Sequence, residues 1–173
     1  PDSQTETFAA LRLDINSPRW QGVPFYIRSG KSLPVTCTEI MVRFKRSPNC
    51  YSDLATAPNY LRFRISPSVQ FAFGMMARTD DETMSGVLKE LVAAPTPVSD
   101  EKDAYERVLT DAINGDATLF ARQDYVEEAW RIVDPVLKAG TPVYAYAPGT
   151  WGPAEAQHKL SPAGGWNDPM ASG

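Results

Sequence analysis

The hydrophobic pattern changes period part-way along the chain, and that change limits the fold more than any single motif. In the first half, Leu11, Leu13 and Ile15 alternate with Arg12 and Asp14, Ile40, Val42 and Phe44 with Met41, Arg43 and Lys45, and Leu61, Phe63 and Ile65 with Tyr60, Arg62 and Arg64. A period of two places each apolar set on one face of a strand. Val69, Phe71, Phe73 and Met75 repeat the pattern after Ser66-Pro67-Ser68, which predicts a hairpin. Trp20 to Arg28 reads as a further strand broken early by Gly22 and Pro24, and Val87 to Ala94, charged on both faces, as another. From Tyr105 the period becomes helical. Tyr105, Val108, Leu109, Ala112 and Ile113 form one stripe that Gly115 can end, and Val126, Trp130, Val133 and Leu137 form a second. Asp124 and Glu127 predict a capping box, and Pro135 predicts a kinked or shortened helix.

Strands that follow one another with no helix between them imply an antiparallel meander. The expected fold class is therefore α+β: a large, mostly antiparallel β-sheet with helices packed on one face, in a single domain over residues 1–173. Such a sheet can leave one face for another layer or subunit. Ser47 to Pro58 and the acidic Asp80 to Thr83 read as exposed surface segments. The tail from Gly140, with its prolines and glycines among Tyr144, Tyr146 and Trp151, is expected to run irregularly over the body, anchored by aromatics and loosely ordered after about Pro162.

A length of 173 residues can bury a sizeable core, and 43% hydrophobic with 22% charged residues is an ordinary soluble composition. A net charge of −4 argues against nonspecific binding of nucleic acid, so any anion site must be local. No apolar run is long enough for a bilayer and the first residues are polar, so neither membrane nor secretion is expected, and the cytoplasm is. Cys37, Cys50 and His158 are too few and wrongly spaced for a zinc site, so no metal is expected. Pro1, with no Met before it, leads us to expect a chain cut from something longer.

One stretch does carry an anion signal. Phe25 to Arg28 reads as a strand, Gly30 can take φ > 0 to turn the chain, and Lys31 is then presented at the strand's open end, with Pro34 biasing Leu33 toward a new strand near Thr38. A lysine so placed suits a phosphate or carboxylate, although taken alone so short a motif is more often an ordinary turn with a solvated lysine. No dinucleotide, phosphate-loop, nucleophile-elbow or zinc-protease motif is present. Asp103, Glu106, Asp111, Asp124, Glu127 and Asp134 lack an apolar setting that would tune a general base, and read as caps and solubilising charges; His158 reads as solvated. No complete active site can be drawn.

Several stretches resemble, in order, the C-terminal region of glucose-6-phosphate dehydrogenases: Thr7-Phe8-Ala9-Ala10, Arg19 to Phe25, Arg28-Ser29-Gly30-Lys31, Met75-Met76, Asp103 to Leu109, Glu128 to Ile132, Tyr144 to Tyr146 and Gly152-Pro153. The resemblance implies an enzyme that oxidises glucose 6-phosphate to 6-phosphogluconolactone with NADP in the pentose phosphate pathway. It further implies a Rossmann domain and catalytic residues upstream of Pro1, NADP bound there and not by this chain, and a homodimer formed through the sheet. Catalytic and cofactor-binding residues are accordingly expected to be absent here. Lys31 matches the lysine that contacts the sugar phosphate. Thr36 stands where many members have a second basic residue, and offers a hydroxyl without charge. Arg28 and Arg64 match residues of a second, structural NADP site of eukaryotic members, but Cys37, Met41 and Gly74 replace basic positions there, which implies a bacterial-type enzyme without that site. The alternative is a non-catalytic oligomerisation or interaction domain derived from the family.

Overall fold

The computed structural model of the chain describes residues 3–45, 57–78, 86–95 and 103–171. They form two compact units, one running up to Pro95 and resuming at Tyr144, the other lying between and ending at Val143. Six strands and three helices confirm the α+β class. All strand pairs are antiparallel, but they divide into two sheets where one was expected.

In the first unit, β1 (Phe8–Asp14) pairs with β2 (Pro24–Gly30), Leu11 facing Ile27. Trp20 falls in the turn before β2, where Gly22 at φ 77° breaks the strand expected there. The second sheet has the order β3 (Thr38–Arg43), β4 (Tyr60–Ser66), β5 (Gln70–Arg78) and β6 (Gly86–Ala93). The expected hairpin is the β4–β5 pair, and Val87 to Ala94 is a paired strand despite its mixed charges. The expected loop from Ser47 and the acidic segment at Asp80 lie almost wholly outside the described residues. A short helix, α1 (Ala154–Leu160), packs against β1.

Register gives the four-stranded sheet two unlike faces, because residues directly opposite one another share a face. Ile40, Phe63 and Phe71 line up across three strands, and Val42, Leu61, Phe73 and Leu91 across four. This face is apolar, and the first unit's own helix does not pack on its sheet. Among the described residues no large apolar side chain is fully buried, and Ala72 is the only buried hydrophobic residue.

The opposite face is ionic and closed. Glu39, its side chain 3% exposed, accepts from Arg64 Nε at 3.0 Å and from Asn167 Nδ2 at 2.7 Å, with Arg62 Nη1 at 3.5 Å. Arg62 donates two hydrogen bonds to Glu90, at 3.1 and 2.8 Å, and Tyr60 Oη donates a third at 2.8 Å. Tyr60 on β4 reaches Glu90 on β6 by lying over Gly74 of β5, where a Cβ would stand 2.2 Å from its ring.

The tail completes this face, so the loose ordering expected after Pro162 is corrected for the described residues. Arg28 donates to the Asn167 carbonyl at 2.7 Å and pairs with Asp168, Arg43 donates to the carbonyls of Ala163 and Gly165, and Arg64 donates to that of Met170. The Arg28 guanidinium, whose Nη1 is buried without a hydrogen-bond partner, lies 4.4 Å from the Trp151 ring centre and 5.2 Å from that of Trp166. Ring faces compensate part of what that cation loses on leaving water.

The second unit holds α2 (Ala104–Asn114) and α3 (Gln123–Lys138). Asp103 caps the first of these through Tyr105 N, and Gly115 at φ 70° ends it, as its sequence predicts. Two details of the other differ. It begins one residue before Asp124, so no capping box forms; Asp124 sits in the first turn, paired with Arg122 and favoured there by the helix dipole. It also runs on through Pro135 to Lys138, because near a C-terminus the ring removes one bond and Ala139 N still donates to the Pro135 carbonyl at 3.1 Å.

Removing one partner of a buried ion pair leaves an uncompensated charge. Glu39→Ala is therefore expected to lower the unfolding free energy by about 3–5 kcal/mol, and an unshifted urea midpoint would contradict this. The two hydrogen bonds from Arg62 hold the Glu90 carboxyl below its ordinary range. Its contribution to stability is thus complete above the ordinary glutamate value, about 4.3, and is lost as pH falls through the lowered folded-state value. Glu90→Gln should flatten the acid limb of stability below about pH 4.5, measured by urea titration at each pH.

Candidate functional site

The strand–turn–strand between the two sheets holds the candidate site. β2 ends at Gly30, the chain bends through Lys31 and Ser32, and β3 begins at Thr38, where Pro34 had placed a new strand. The turn is made differently from its sequence reading. Gly30 is not among the residues with positive φ; the left-handed residue is Ser32, at φ 52°. Glycine is needed at position 30 for space, since a Cβ there would stand 2.7 Å from Phe8 Cδ2 and 3.3 Å from Leu33 Cδ2.

Ser32 in that conformation carries backbone strain, which persists only where surroundings over-determine it. They do so here through three hydrogen bonds. Lys31 N donates to the Thr7 carbonyl at 2.8 Å, Tyr146 Oη donates to the Lys31 carbonyl at 2.8 Å, and Gly149 N donates to the Ser32 carbonyl at 2.8 Å. Behind them Phe8 packs against Tyr146, ring centres 5.5 Å apart, and against Gly152, where a Cβ would stand 2.3 Å from the Phe8 ring.

The bend encloses a cleft of about 360 Å³ lined by Arg28 to Leu33 and Val35 to Cys37. Both sequence-predicted site residues, Lys31 and Thr36, line it and are exposed. An ammonium and a hydroxyl on one concave wall are donors suited to an oxyanion. Cys37 contributes a free thiol to the same wall, while Cys50 lies outside the described residues.

Four of the remaining titratable candidates have local partners. Asp103 caps a helix, Asp124 pairs with Arg122, Glu127 accepts from Gln123 at 2.7 Å, and Asp134 pairs with Lys138 at 3.0 Å, all on the second unit's surface. His158 is exposed in the last turn of α1. Among the described residues no three His, Cys, Asp or Glu side chains could hold a metal ion, and no helix is long and apolar enough to cross a membrane. Sequence reasoning missed the part of Tyr146 and Ser32, whose only signals were an aromatic in an irregular tail and a polar residue after Gly-Lys.

Residues 1–167 match the family described as glucose-6-phosphate dehydrogenase, C-terminal domain. The chain belongs to the glucose-6-phosphate dehydrogenase family. It is 40% identical to a glucose-6-phosphate 1-dehydrogenase of Aggregatibacter actinomycetemcomitans, over 95% of this chain and 34% of that protein. A second relative, from Mycobacterium tuberculosis, is 37% identical over 97% of this chain and 36% of its own length. The chain thus spans little more than a third of these family members. In three dimensions it resembles the crystal structure of the Mycobacterium avium glucose-6-phosphate 1-dehydrogenase, with a TM-score of 0.85, 36% identity, and coverage of 99% of this chain and 37% of that one. It also resembles a glucose-6-phosphate dehydrogenase solved in complex with its substrate glucose-6-phosphate, with a TM-score of 0.74, 27% identity, and coverage of 95% and 35%.

Proposed function

We propose that the chain is the substrate-phosphate-binding and dimer-forming C-terminal part of an enzyme that oxidises D-glucose 6-phosphate to 6-phosphoglucono-1,5-lactone. Hydride passes from C1 to NADP, and the C1 hydroxyl proton to a base. In this reading coenzyme and base belong to polypeptide outside these residues, whose sequence has no Gly-rich nucleotide turn. The observation that carries this reading is the cleft itself: in a chain of this family, its wall brings Lys31 and Thr36 together on a bend with fixed backbone. Both compact units belong, in this reading, to one C-terminal domain, supported by the continuous family match over residues 1–167. The free Cys37 thiol accords with a reducing cytoplasm, where we place the enzyme.

Lys31 acts at the phosphate, remote from the reacting C1. Its ammonium compensates the phosphate charge, and Thr36 adds a neutral hydrogen bond. Binding at a remote group orients the sugar and supports the chemistry at the other end. A hydrogen bond between charged groups contributes about 1.5–3 kcal/mol, so Lys31→Ala in the full-length enzyme should raise KM for glucose 6-phosphate roughly 10- to 150-fold. An unchanged KM would remove the phosphate role of Lys31.

The sheet of β3 to β6 leaves Ile40, Ile65 and Leu91 half or more exposed, at 50, 52 and 62%. Contiguous exposed apolar surface marks a contact with another body, and we propose a second copy of the chain as a partner assembled through this sheet. Light scattering should return twice the subunit mass for the full-length enzyme; a monomer at high concentration would overturn the dimer.

A further inference from the structure

We propose that Tyr146 is a positioning residue for Lys31, holding the bend so that the ammonium is presented to the substrate phosphate; this rests on the phosphate-binding reading of Lys31. Tyr146 reaches the bend from the opposite end of the chain, 115 positions away in sequence. Its single hydroxyl proton has one best acceptor, the Lys31 carbonyl at 2.8 Å, while the Thr7 hydroxyl at 3.3 Å is placed to donate to the phenol oxygen. The Thr7 carbonyl, 3.1 Å from the same phenol, takes the Lys31 N–H. Both peptide groups of Lys31 are therefore held, one by Thr7, the residue before β1, and one by the tail.

The next residue is held by the same tail segment. Gly149 N donates to the Ser32 carbonyl, so the strained φ of 52° at Ser32 is pinned on its C-terminal side just as Lys31 is on both. With these bonds made, the Lys31 Cα cannot drift, and only the four-carbon stem is left to order when a phosphate binds. Without the phenol hydroxyl the Lys31 carbonyl loses its partner, leaving Gly149 N and the Thr7 carbonyl to hold the bend, so the strained turn is less restrained and the ammonium's origin shifts with it. Phe8 keeps the Tyr146 ring in place independently of its hydroxyl, through the tilted contact at 5.5 Å. Tyr146→Phe therefore deletes the positioning bond while leaving the packing.

The test uses the full-length enzyme with Tyr146→Phe, Lys31→Ala and the double variant, assayed with glucose 6-phosphate and with glucose. The ratio of kcat/KM for the two sugars is independent of how much enzyme is folded. It should fall about three- to tenfold in Tyr146→Phe, the size of one neutral hydrogen bond, with the loss in KM. In the Lys31→Ala background Tyr146→Phe should change the ratio no further, since a residue acting only through Lys31 has nothing left to position. An unchanged ratio in the single variant, or an equal fall with and without Lys31, would overturn the role of Tyr146 while the phosphate reading stands. A ratio unaffected by Lys31→Ala would overturn the phosphate reading, and this inference with it.

Discussion

A single carboxylate, Glu39, ties the first unit together. It sits on β3 facing inward, is shielded from solvent, and accepts from β4 through Arg64 and from the tail through Asn167. An isolated carboxylate in that position would be strongly unfavourable, and only the cations and amide gathered around it make burial tolerable. The constraint acts in both directions. The tail has no strand ladder of its own and is held where the ionic face supplies donors: Arg28, Arg43 and Arg64, on three different strands and from both sheets, each donate to its carbonyls. The charged face thereby connects two sheets that share no backbone ladder.

That arrangement explains how the first unit, with Ala72 the only buried hydrophobic residue among the described residues, holds a defined bend at its cleft. The tail carries Tyr146 and Gly149 to Lys31 and Ser32, and Trp151 and Trp166 to Arg28, whose backbone lines the same cleft wall three residues before Lys31. The division of labour in the proposed enzyme follows. In the function we propose, the reacting carbon and coenzyme are handled elsewhere, and the part assigned to this chain is a cation at the far end of the sugar, where binding energy orients without reacting.

Local patterns were legible wherever a neighbour in sequence decides the outcome. Period-two alternation located β1, β3, β4 and β5, the Ser-Pro-Ser turn the β4–β5 hairpin, and Gly115 the end of a helix, because alternation, turn chemistry and caps act over a few residues. The misreadings share a cause. Gly30 was assigned a left-handed turn because glycine permits one, whereas its lack of a side chain serves Phe8, a residue distant in sequence. The prolines and glycines after Pro162 read as loose chain, because the arginines that hold it lie more than a hundred residues earlier. That the face carrying Arg62, Arg64 and Glu39 is the covered one was not legible, since alternation shows which residues share a face but not which face is covered.

The sequence by itself determined the α+β class, most element positions, the resemblance to one enzyme family, and Lys31 as the residue to watch. Tertiary structure alone decided that the strands part into two sheets, that the polar face is the closed one, and that Tyr146 meets Lys31. The physical reason is range: propensity, alternation and capping are set by nearest neighbours, whereas burial of a charge and the pinning of a strained turn depend on groups that only the folded chain brings within hydrogen-bonding distance.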